Sequence, residues 1–336
     1  MSTTMDCPFP PLQRQASCRL EETAGVCLLE FLLRRFPYLA EDGWRNAIAE
    51  GRLKVDGSVV CTPDYRLPSE GILEFCPGML AEPPVSWNIG ILAESEDWLA
   101  LNKPAPLPCH PAGHFFNHTL WTWLKQTRQW PSVHFLGRLD METSGMVVAT
   151  SSAATAVKLG RAIKASGHLK SYLVIVHGRW QGPSLARGWL IPDENAPVRK
   201  RRRFVQEQPP SGQETETAIT EFALRGVSPD GAFSLLEATP VTGRMHQIRC
   251  TLWSLGYPVV GDKLYGLSSE FFLRQIDGSL TEADFARLLL RRQALHAWRL
   301  AWDWEGRHLV LEAPLPDEML AFLRQHGLAE SAERCC

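Results

Sequence analysis

A chain of 336 residues with 45% hydrophobic residues is long enough for two domains, each with a core of its own. A formal net charge of −2 excludes a protein that attracts nucleic acid through an overall basic field, so any such contact must come from local basic clusters. The nine cysteines include no Cys-x-x-Cys spacing, which disfavours a zinc site and a disulfide framework and favours a reducing compartment. The N-terminus lacks the apolar core of a secretory signal and no membrane-spanning apolar run occurs, so we expect a cytoplasmic protein.

The N-terminal part of the chain is predicted to be a tail followed by helices and a hairpin. Prolines within residues 1–16 are typical of a flexible tail. Apolar residues at helical spacing predict an amphipathic helix from Leu20, and a second helix follows at about residues 41–50. The segment 53–60 is predicted to be a hairpin closed by Asp56-Gly57.

Two helices followed by a Gly-x-x-x-Val-x-Gly hairpin resemble the S4 RNA-binding module, over residues 17–77. Such a module would present phosphate-binding side chains on or near one surface, namely Arg34, Arg35, Arg45, Arg52 and Lys54. The alternative is a small helical cap with no RNA role. Proline and glycine residues then mark residues 78–89 as a linker.

A larger second domain is predicted over residues 90–325, with a loose C-terminal tail at 326–336. Apolar runs and helical periodicities alternate along it. Strands are predicted at 91–93, 98–101, 146–149, 172–176, 217–224, 233–239, 295–302 and 309–312, and helices at 118–130, from Ser152, at 244–254, within 270–292 and from Pro316. The segment 180–212 is polar, is not assigned a strand and contains the charge run Arg199–Arg203.

The stretch from His134 to Thr150 has the pattern of a functional site. Arg138 and Asp140 flank Leu139 just before an apolar run that predicts a buried strand, and glycines allow a close approach. A carboxylate and a guanidinium two residues apart at the start of a buried strand are typical of a site. The alternative is a solvated turn with a surface ion pair.

Three ordered motifs give this stretch its context. They are Arg138-Leu139-Asp140-x-x-Thr143-Ser144-Gly145, then Lys170-Ser171-Tyr172, then Thr242-Gly243-Arg244-Met245-His246-Gln247-Ile248-Arg249 with Gly256-Tyr257-Pro258-Val259-Val260-Gly261-Asp262 after it. Supporting matches are Leu101-Asn102-Lys103-Pro104 with His110-Pro111, Gln293–Ala297 and Ala313–Pro316. From about Leu99 to Pro316 the chain resembles the RluA-type family of RNA pseudouridine synthases.

The resemblance implies an α+β fold, in which a mixed, mostly antiparallel central sheet is flanked by helices. It also implies an isomerase that converts uridine in structured RNA to pseudouridine. This reaction requires no cofactor and no metal, because nothing is oxidised and no group leaves the site. RNA is the expected partner, and we assume a monomer.

The family motifs also imply roles for single residues. Asp140 is the expected nucleophile, and it attacks either the sugar or the base. Arg249 is expected to form the ion pair that keeps Asp140 charged, although an ordinary surface arginine is the alternative. Tyr172 is expected to stack on the uracil and to help remove the C5 proton, with a core tyrosine as the alternative. Arg138 is expected to fill the space that the everted base leaves. We interpret Arg244, His246 and Gln247 as scaffold or phosphate contacts.

Basic residues near these motifs are the predicted RNA-binding set. They are Arg138, Lys170, Arg244, Arg199, Lys200 and Arg201, although a solvated loop is an equally good interpretation of the charge run. Two residues depart from the family pattern: Gly137 replaces the usual His, which leaves the loop conformation open, and Met245 replaces the commoner Thr.

The substrate RNA is not fixed by the sequence. The S4-like module favours large-subunit ribosomal RNA, with transfer RNA as the alternative. Two other classes of protein are the alternatives to an RNA pseudouridine synthase. A non-catalytic RNA-binding protein would not need to keep Asp140, and an Asp-nucleophile hydrolase predicts a Gly-rich elbow with a following acid and histidine, of which no convincing match occurs.

Overall fold

A computed structural model describes residues 8–37, 39–77, 82–166 and 170–333, which form two compact units. The smaller unit contains the described residues up to Pro83 together with Gly113–Asn117. The larger unit contains Pro84–Ala112 and the described residues from His118 onwards.

The smaller unit is a four-stranded antiparallel sheet with two helices. Its elements are β1 (Ala16–Glu21), α1 (Leu28–Arg35), α2 (Glu41–Ala49), β2 (Leu53–Val55), β3 (Ser58–Val60) and β4 (Glu70–Phe75), and the strand order is β1-β4-β2-β3. Asp56 and Gly57 close the predicted hairpin with positive φ angles of 47° and 79°, as a two-residue turn between twisted strands requires. Leu28, Leu32 and Trp44 are buried between the helices and the sheet.

One prediction for this unit is wrong at its boundary. The helix predicted from Leu20 begins only at Leu28, because residues Ala16–Glu21 pair along their whole length with β4 and bury Leu20 in the sheet. The tail predicted over residues 1–16 is in part held in place, since the backbone N–H of Leu12 donates to Asn117 Oδ1 at 2.7 Å. Residues 1–7 of that tail lie outside the described residues.

The larger unit contains the remaining elements. Its strands are β5 (Gly90–Glu94), β6 (Trp98–Lys103), β7 (His134–Phe135), β8 (Ser144–Thr150), β9 (Ser171–His177), β10 (Leu185–Pro192), β11 (Arg202–Val205), β12 (Glu216–Val227), β13 (Phe233–Pro240), β14 (Leu295–Trp304) and β15 (Arg307–Glu312). Its helices are α3 (Leu120–Thr127), α4 (Ala153–Ala165), α5 (Gln247–Ser254), α6 (Glu270–Ile276), α7 (Glu282–Leu288), α8 (Asp317–Gln325) and α9 (Ala329–Glu333).

One eleven-stranded sheet organises the described part of the larger unit. Its order is β11-β10-β12-β13-β9-β14-β8-β6-β5, with β15 beside β14 and β7 beside β8. Every pair is antiparallel except β8 and β14, which meet only at Ser144–His296 and Gly145–Ala297. Since helices accompany this mixed, mostly antiparallel sheet, the predicted α+β fold class is confirmed.

Three segments predicted to be irregular are partly structured. Residues 180–212 contain β10 and β11, because Ala186, Leu190 and Phe204 pack into the core despite the polar composition. The predicted loose tail, 326–336, contains α9, and Leu328 beside it is buried; residues 334–336 lie outside the described residues. In the predicted linker, 78–89, Val85 is buried, and residues 78–81 are not described.

None of the helices in the described ranges has the length and apolar character needed to cross a membrane.

Gly145, in β8, packs against the backbone of Ala297 in β14. It has a φ of +103°, and a Cβ built there would lie 2.2 Å from the carbonyl oxygen of Ala297. We therefore expect Gly145→Ala to lower the free energy of unfolding by about 3 kcal/mol, from backbone strain and overpacking together. Gly256 is the matched control because its φ is +88° and nothing lies within 4 Å of its Cβ position, so Gly256→Ala should cost about 1 kcal/mol. Urea unfolding measures both variants, and equal losses would show that contact with Ala297 does not matter.

Candidate active site

The loop between β7 and β8 carries Asp140 and is fixed by the segment that follows β6. Leu107 N–H donates to Met141 O at 2.9 Å, and Lys103 Nζ contacts the same oxygen at 3.4 Å. The backbone of Leu139 contacts the Cys109 thiol at 3.5 Å. The Asp140 side chain is nevertheless 31% exposed, so a well-ordered carboxylate remains open to a substrate.

Arg249, in α5, links Asp140 to a second, fully buried carboxylate. Its Nη1 donates to Asp140 Oδ2 at 2.8 Å, while its Nε and Nη2 donate to the two oxygens of Asp262 at 2.6 and 2.8 Å. Asp262 also accepts the backbone N–H groups of Leu264 and Tyr265 at 2.9 Å. The two-pronged bond to Asp262 therefore holds the guanidinium in one orientation and directs its remaining edge at Asp140.

The charge state of Asp140 follows from competing effects. Burial alone would raise the pKa of its carboxyl, but the charge of Arg249, with a smaller contribution from His246, brings the pKa below the ordinary aspartate value. Asp140 is therefore ionised at neutral pH. Burial raises the pKa of Asp262 as well, but Arg249 and two backbone N–H groups outweigh it, so Asp262 is also ionised.

His246 lies beside this pair at the start of α5, in the left-handed region with a φ of 56°. Its Nε2 is 3.8 Å from Asp140 Oδ1, and its Nδ1 is 3.4 Å from the Tyr265 hydroxyl. Burial, together with the charge of Arg249, lowers the pKa of His246 to about 4, so the ring is neutral at pH 7. Gln247, the next residue, is buried and bonded to Thr242 Oγ1 and to Ile219 O.

Tyr172, in β9, is the third predicted site residue near Asp140. Its neighbours across the sheet are Ala238 and Ala297, and its ring is partly buried. Burial, and then the negative charge of Asp140, raise the pKa of its hydroxyl, so the phenol stays protonated. The structure thus brings Asp140, Arg249 and Tyr172 together from three separate motifs.

Four of the six predicted RNA-binding residues have exposed side chains. Arg138 lies two residues before Asp140, and Arg244 lies two residues before His246, with its Nε donating to Thr217 O at 3.2 Å. Arg199 and Lys200 lie in the connection between β10 and β11. The charge of Lys200 contributes to the lowered pKa of His246, so the charge run reaches the edge of the site.

Two residues of that set are committed inside the protein instead. Arg201 pairs with Asp193 at 3.3 Å and lies 4.0 Å from the centre of the Trp253 ring, with only 11% of its side chain exposed. Lys170 is partly buried, and its Nζ donates to Met146 O. Each cation thus has a partner within the protein, and the structure lends no support to assigning either residue to RNA binding.

Sequence reasoning assigned no role to Asp262 or Lys103, although both stand in quoted motifs. Asp262 is the fixed partner of Arg249, and Lys103 is fully buried with its Nζ bonded to Pro104 O and Leu107 O. The signal available in the sequence was a charged residue inside each quoted motif, in Gly261-Asp262 and in Asn102-Lys103-Pro104. Within the described residues, no group of three or more His, Cys, Asp or Glu side chains is arranged to hold a metal ion.

Comparison with known proteins gives one consistent family. A family profile described as RNA pseudouridylate synthase matches residues 97–254. An uncharacterized RNA pseudouridine synthase of Chlorobaculum parvum is 31% identical over 308 residues, which cover 86% of this chain and 90% of the relative. Ribosomal large subunit pseudouridine synthase D of Nitrosomonas europaea is 30% identical over 240 residues, covering 70% of this chain and 64% of the relative. The structure of human RNA Pseudouridylate Synthase Domain Containing 4 matches in fold, with a TM-score of 0.52 and 23% identity over 71% of this chain and 93% of that one.

Proposed function

This chain belongs to the RluA-type family of RNA pseudouridine synthases, and from that premise we propose that it isomerises uridines of large-subunit ribosomal RNA with Asp140 as the nucleophile. The observation that carries the proposal is the ionised, partly exposed Asp140 carboxylate held by an arginine that is itself fixed by Asp262. A surface ion pair would not need the second, fully buried carboxylate.

The reaction breaks the bond between C1′ and N1 of uridine, turns the base and joins C1′ to C5. The proton at C5 leaves and N1 gains one, so the product is an isomer and no electrons are exchanged. Asp140 supplies an electron pair to a carbon of the sugar or of the base, and the carboxylate is released again in the final step. Arg249 keeps Asp140 charged before attack, and the fixed orientation of its guanidinium limits the carboxylate to one position.

The uridine must leave its stack to reach Asp140. We assign the ring of Tyr172 to stacking on the everted uracil, because its raised pKa keeps the phenol protonated and makes it a poor base. Arg138, exposed two residues before the nucleophile, is assigned to the space that the base vacates in the RNA.

Exposed basic residues supply the sequence-independent part of RNA binding. In the larger unit these are Arg138, Arg199, Lys200 and Arg244. We assign the smaller unit to RNA as well, as an S4-like module, with Arg34, Arg35 and Lys54 exposed. Ribosomal RNA is preferred to transfer RNA because of this module and because the Nitrosomonas relative is named for the large subunit. The proposal includes a cytoplasmic monomer that needs no cofactor.

Release of tritium from C5-labelled uridine tests the proposed activity. The wild-type protein should release tritium from large-subunit ribosomal RNA and not from transfer RNA. Release of tritium from transfer RNA alone would make transfer RNA the substrate instead of ribosomal RNA. Binding of either RNA without any release of tritium would identify a non-catalytic RNA-binding protein.

The pH dependence of turnover should report the ion pair between Arg249 and Asp140. Only the ionised carboxylate is nucleophilic. Because the pKa of Asp140 is lowered, kcat should stay constant as the pH falls and should decrease only below about pH 4. In Arg249→Lys, one ammonium cannot reproduce the bidentate bond to Asp262 while also facing Asp140, so burial weighs more and the acid limb should move to higher pH. Initial rates of tritium release between about pH 3.5 and 8 measure this limb. An acid limb at the same pH in Arg249→Lys and in the wild type would show that Arg249 does not keep Asp140 ionised.

A further inference from the structure

We infer that Lys170 is a positioning residue whose ammonium group holds the ring of Tyr172 in place beside the nucleophile. The inference rests on the proposed function, because it concerns how Tyr172 meets the uracil. It gives Lys170 a different role from the RNA binding predicted from the sequence, on the basis of its partly buried position and its carbonyl partner.

The ammonium of Lys170 links the residue that precedes β9 to β8. Lys170 directly precedes β9, and Tyr172 is the second residue of that strand. Lys170 Nζ is 5.5 Å from the centre of the Tyr172 ring, within the range of a cation–π contact, and it donates to Met146 O of β8. Met146 is the first residue after the last pair between β8 and β14, Gly145–Ala297. The ammonium therefore connects Tyr172 to β8 at the point where the central strands separate.

The surroundings of Lys170 determine whether its side chain is protonated at neutral pH. Its pKa is lowered to about 8, mainly by burial and to a smaller extent by the positive charge of Lys103, while Cys109 acts in the opposite direction. Burial lowers the pKa of His296 to about 4, and the charge of Lys170 acts in the same direction, so this ring is neutral at pH 7. At pH 7 Lys170 is thus predominantly charged in a site where a lysine is costly, and its contacts are a backbone carbonyl and an aromatic face.

These contacts have a direct consequence for the substrate. Because Lys170 Nζ lies over one face of the Tyr172 ring, we assign the other face to the uracil. Because its Nζ is tied to β8, the tilt of the ring is fixed relative to the strand that follows Asp140. Loss of the ammonium should therefore leave RNA binding intact and misplace the everted base against Asp140.

Lys170→Met tests this, since it keeps the length of the side chain and removes the charge. We expect kcat to fall about tenfold or more with KM changed less than about twofold, and Lys170→Arg to recover most of kcat. Lys125 provides a matched control: its Nζ lies 5.5 Å from the centre of the Trp121 ring and donates to Pro131 O at 2.5 Å. Lys125→Met should leave kcat and KM unchanged.

A double-mutant cycle separates positioning of Tyr172 from general support of the fold. The cost of Lys170→Met should be the same in a Tyr172→Phe background, which keeps the ring, and should shrink to within about twofold in a Tyr172→Leu background, which lacks it. Single-turnover rates give these values for slow variants. An equal cost in both backgrounds, or a wild-type kcat in Lys170→Met, would overturn the inference while the proposed function stands. A wild-type protein that forms no pseudouridine in any RNA would overturn both.

Discussion

Asp140→Asn is expected to abolish uridine isomerisation, with turnover about 10⁴-fold or more below that of the wild type, on the scale seen when a nucleophile is removed from other enzymes. The amide has the size of the carboxylate, and its oxygen can still accept the hydrogen bond that Arg249 Nη1 donates at 2.8 Å. What it lacks is the negative charge and the reactive electron pair that must bond to carbon. The loop should keep its shape, because Asp140 O still accepts from Thr143 N–H and the contacts of Met141 and Leu139 are unchanged.

Tritium release from C5-labelled RNA and retention of the RNA on a filter measure turnover and binding of Asp140→Asn separately. Binding should stay within a few-fold of the wild type. Asp303→Asn is the control, since Asp303 is an exposed aspartate paired with His308, and its turnover should not change. Full turnover in Asp140→Asn would assign the nucleophile to another residue.

Asp262→Asn is expected to lower the free energy of unfolding by about 3–5 kcal/mol, the range for breaking a buried ion pair by removing one partner. Asp262 is 0% exposed and accepts two bonds from Arg249 as well as the N–H groups of Leu264 and Tyr265. An amide supplies one accepting oxygen and places two N–H donors against a guanidinium that also donates. Arg249 then retains its charge in a buried position with only Asp140 to compensate it.

Urea unfolding measures this loss, and Asp284 offers a comparison. Asp284 is also buried and bonded to an arginine, but Arg274 is 42% exposed, and Asp284 mainly completes the capping box at the start of α7. Asp284→Asn should therefore cost only about 1 kcal/mol. A loss of the same size in both variants would mean that the pair between Arg249 and Asp262 contributes no more than a helix cap.

Most elements of the larger unit could be predicted from the sequence because its central strands have short apolar runs, and the fold class was implied by the family resemblance that its ordered motifs carry. The failures have physical causes. Leu20 reads as the start of a helix because the apolar spacing continues into α1, but pairing with β4 outweighs that local preference. The strands β10 and β11 were not predicted because the segment around them is polar. In β11, for example, Phe204 packs into the core but follows two arginines in the sequence.

The site was predictable to the extent that its residues stand in motifs. Asp140, Arg249 and Tyr172 are brought together as the resemblance implied, and their roles remain proposals. Asp262 was not assigned because its importance depends on a partner in α5 that only the folded chain brings close. The partners of Lys170 and Arg201 could not be predicted either, because a basic residue is expected in solvent by default, whereas here the two residues bond to Met146 O and Asp193.

A pseudouridine map of total RNA from cells that lack this protein is the most direct test of uridine isomerisation by Asp140. Pseudouridine should disappear at one or a few positions of large-subunit ribosomal RNA, return when the wild-type protein is supplied, and stay absent when Asp140→Asn is supplied at the same level. An unchanged map, or full restoration by Asp140→Asn, would contradict it.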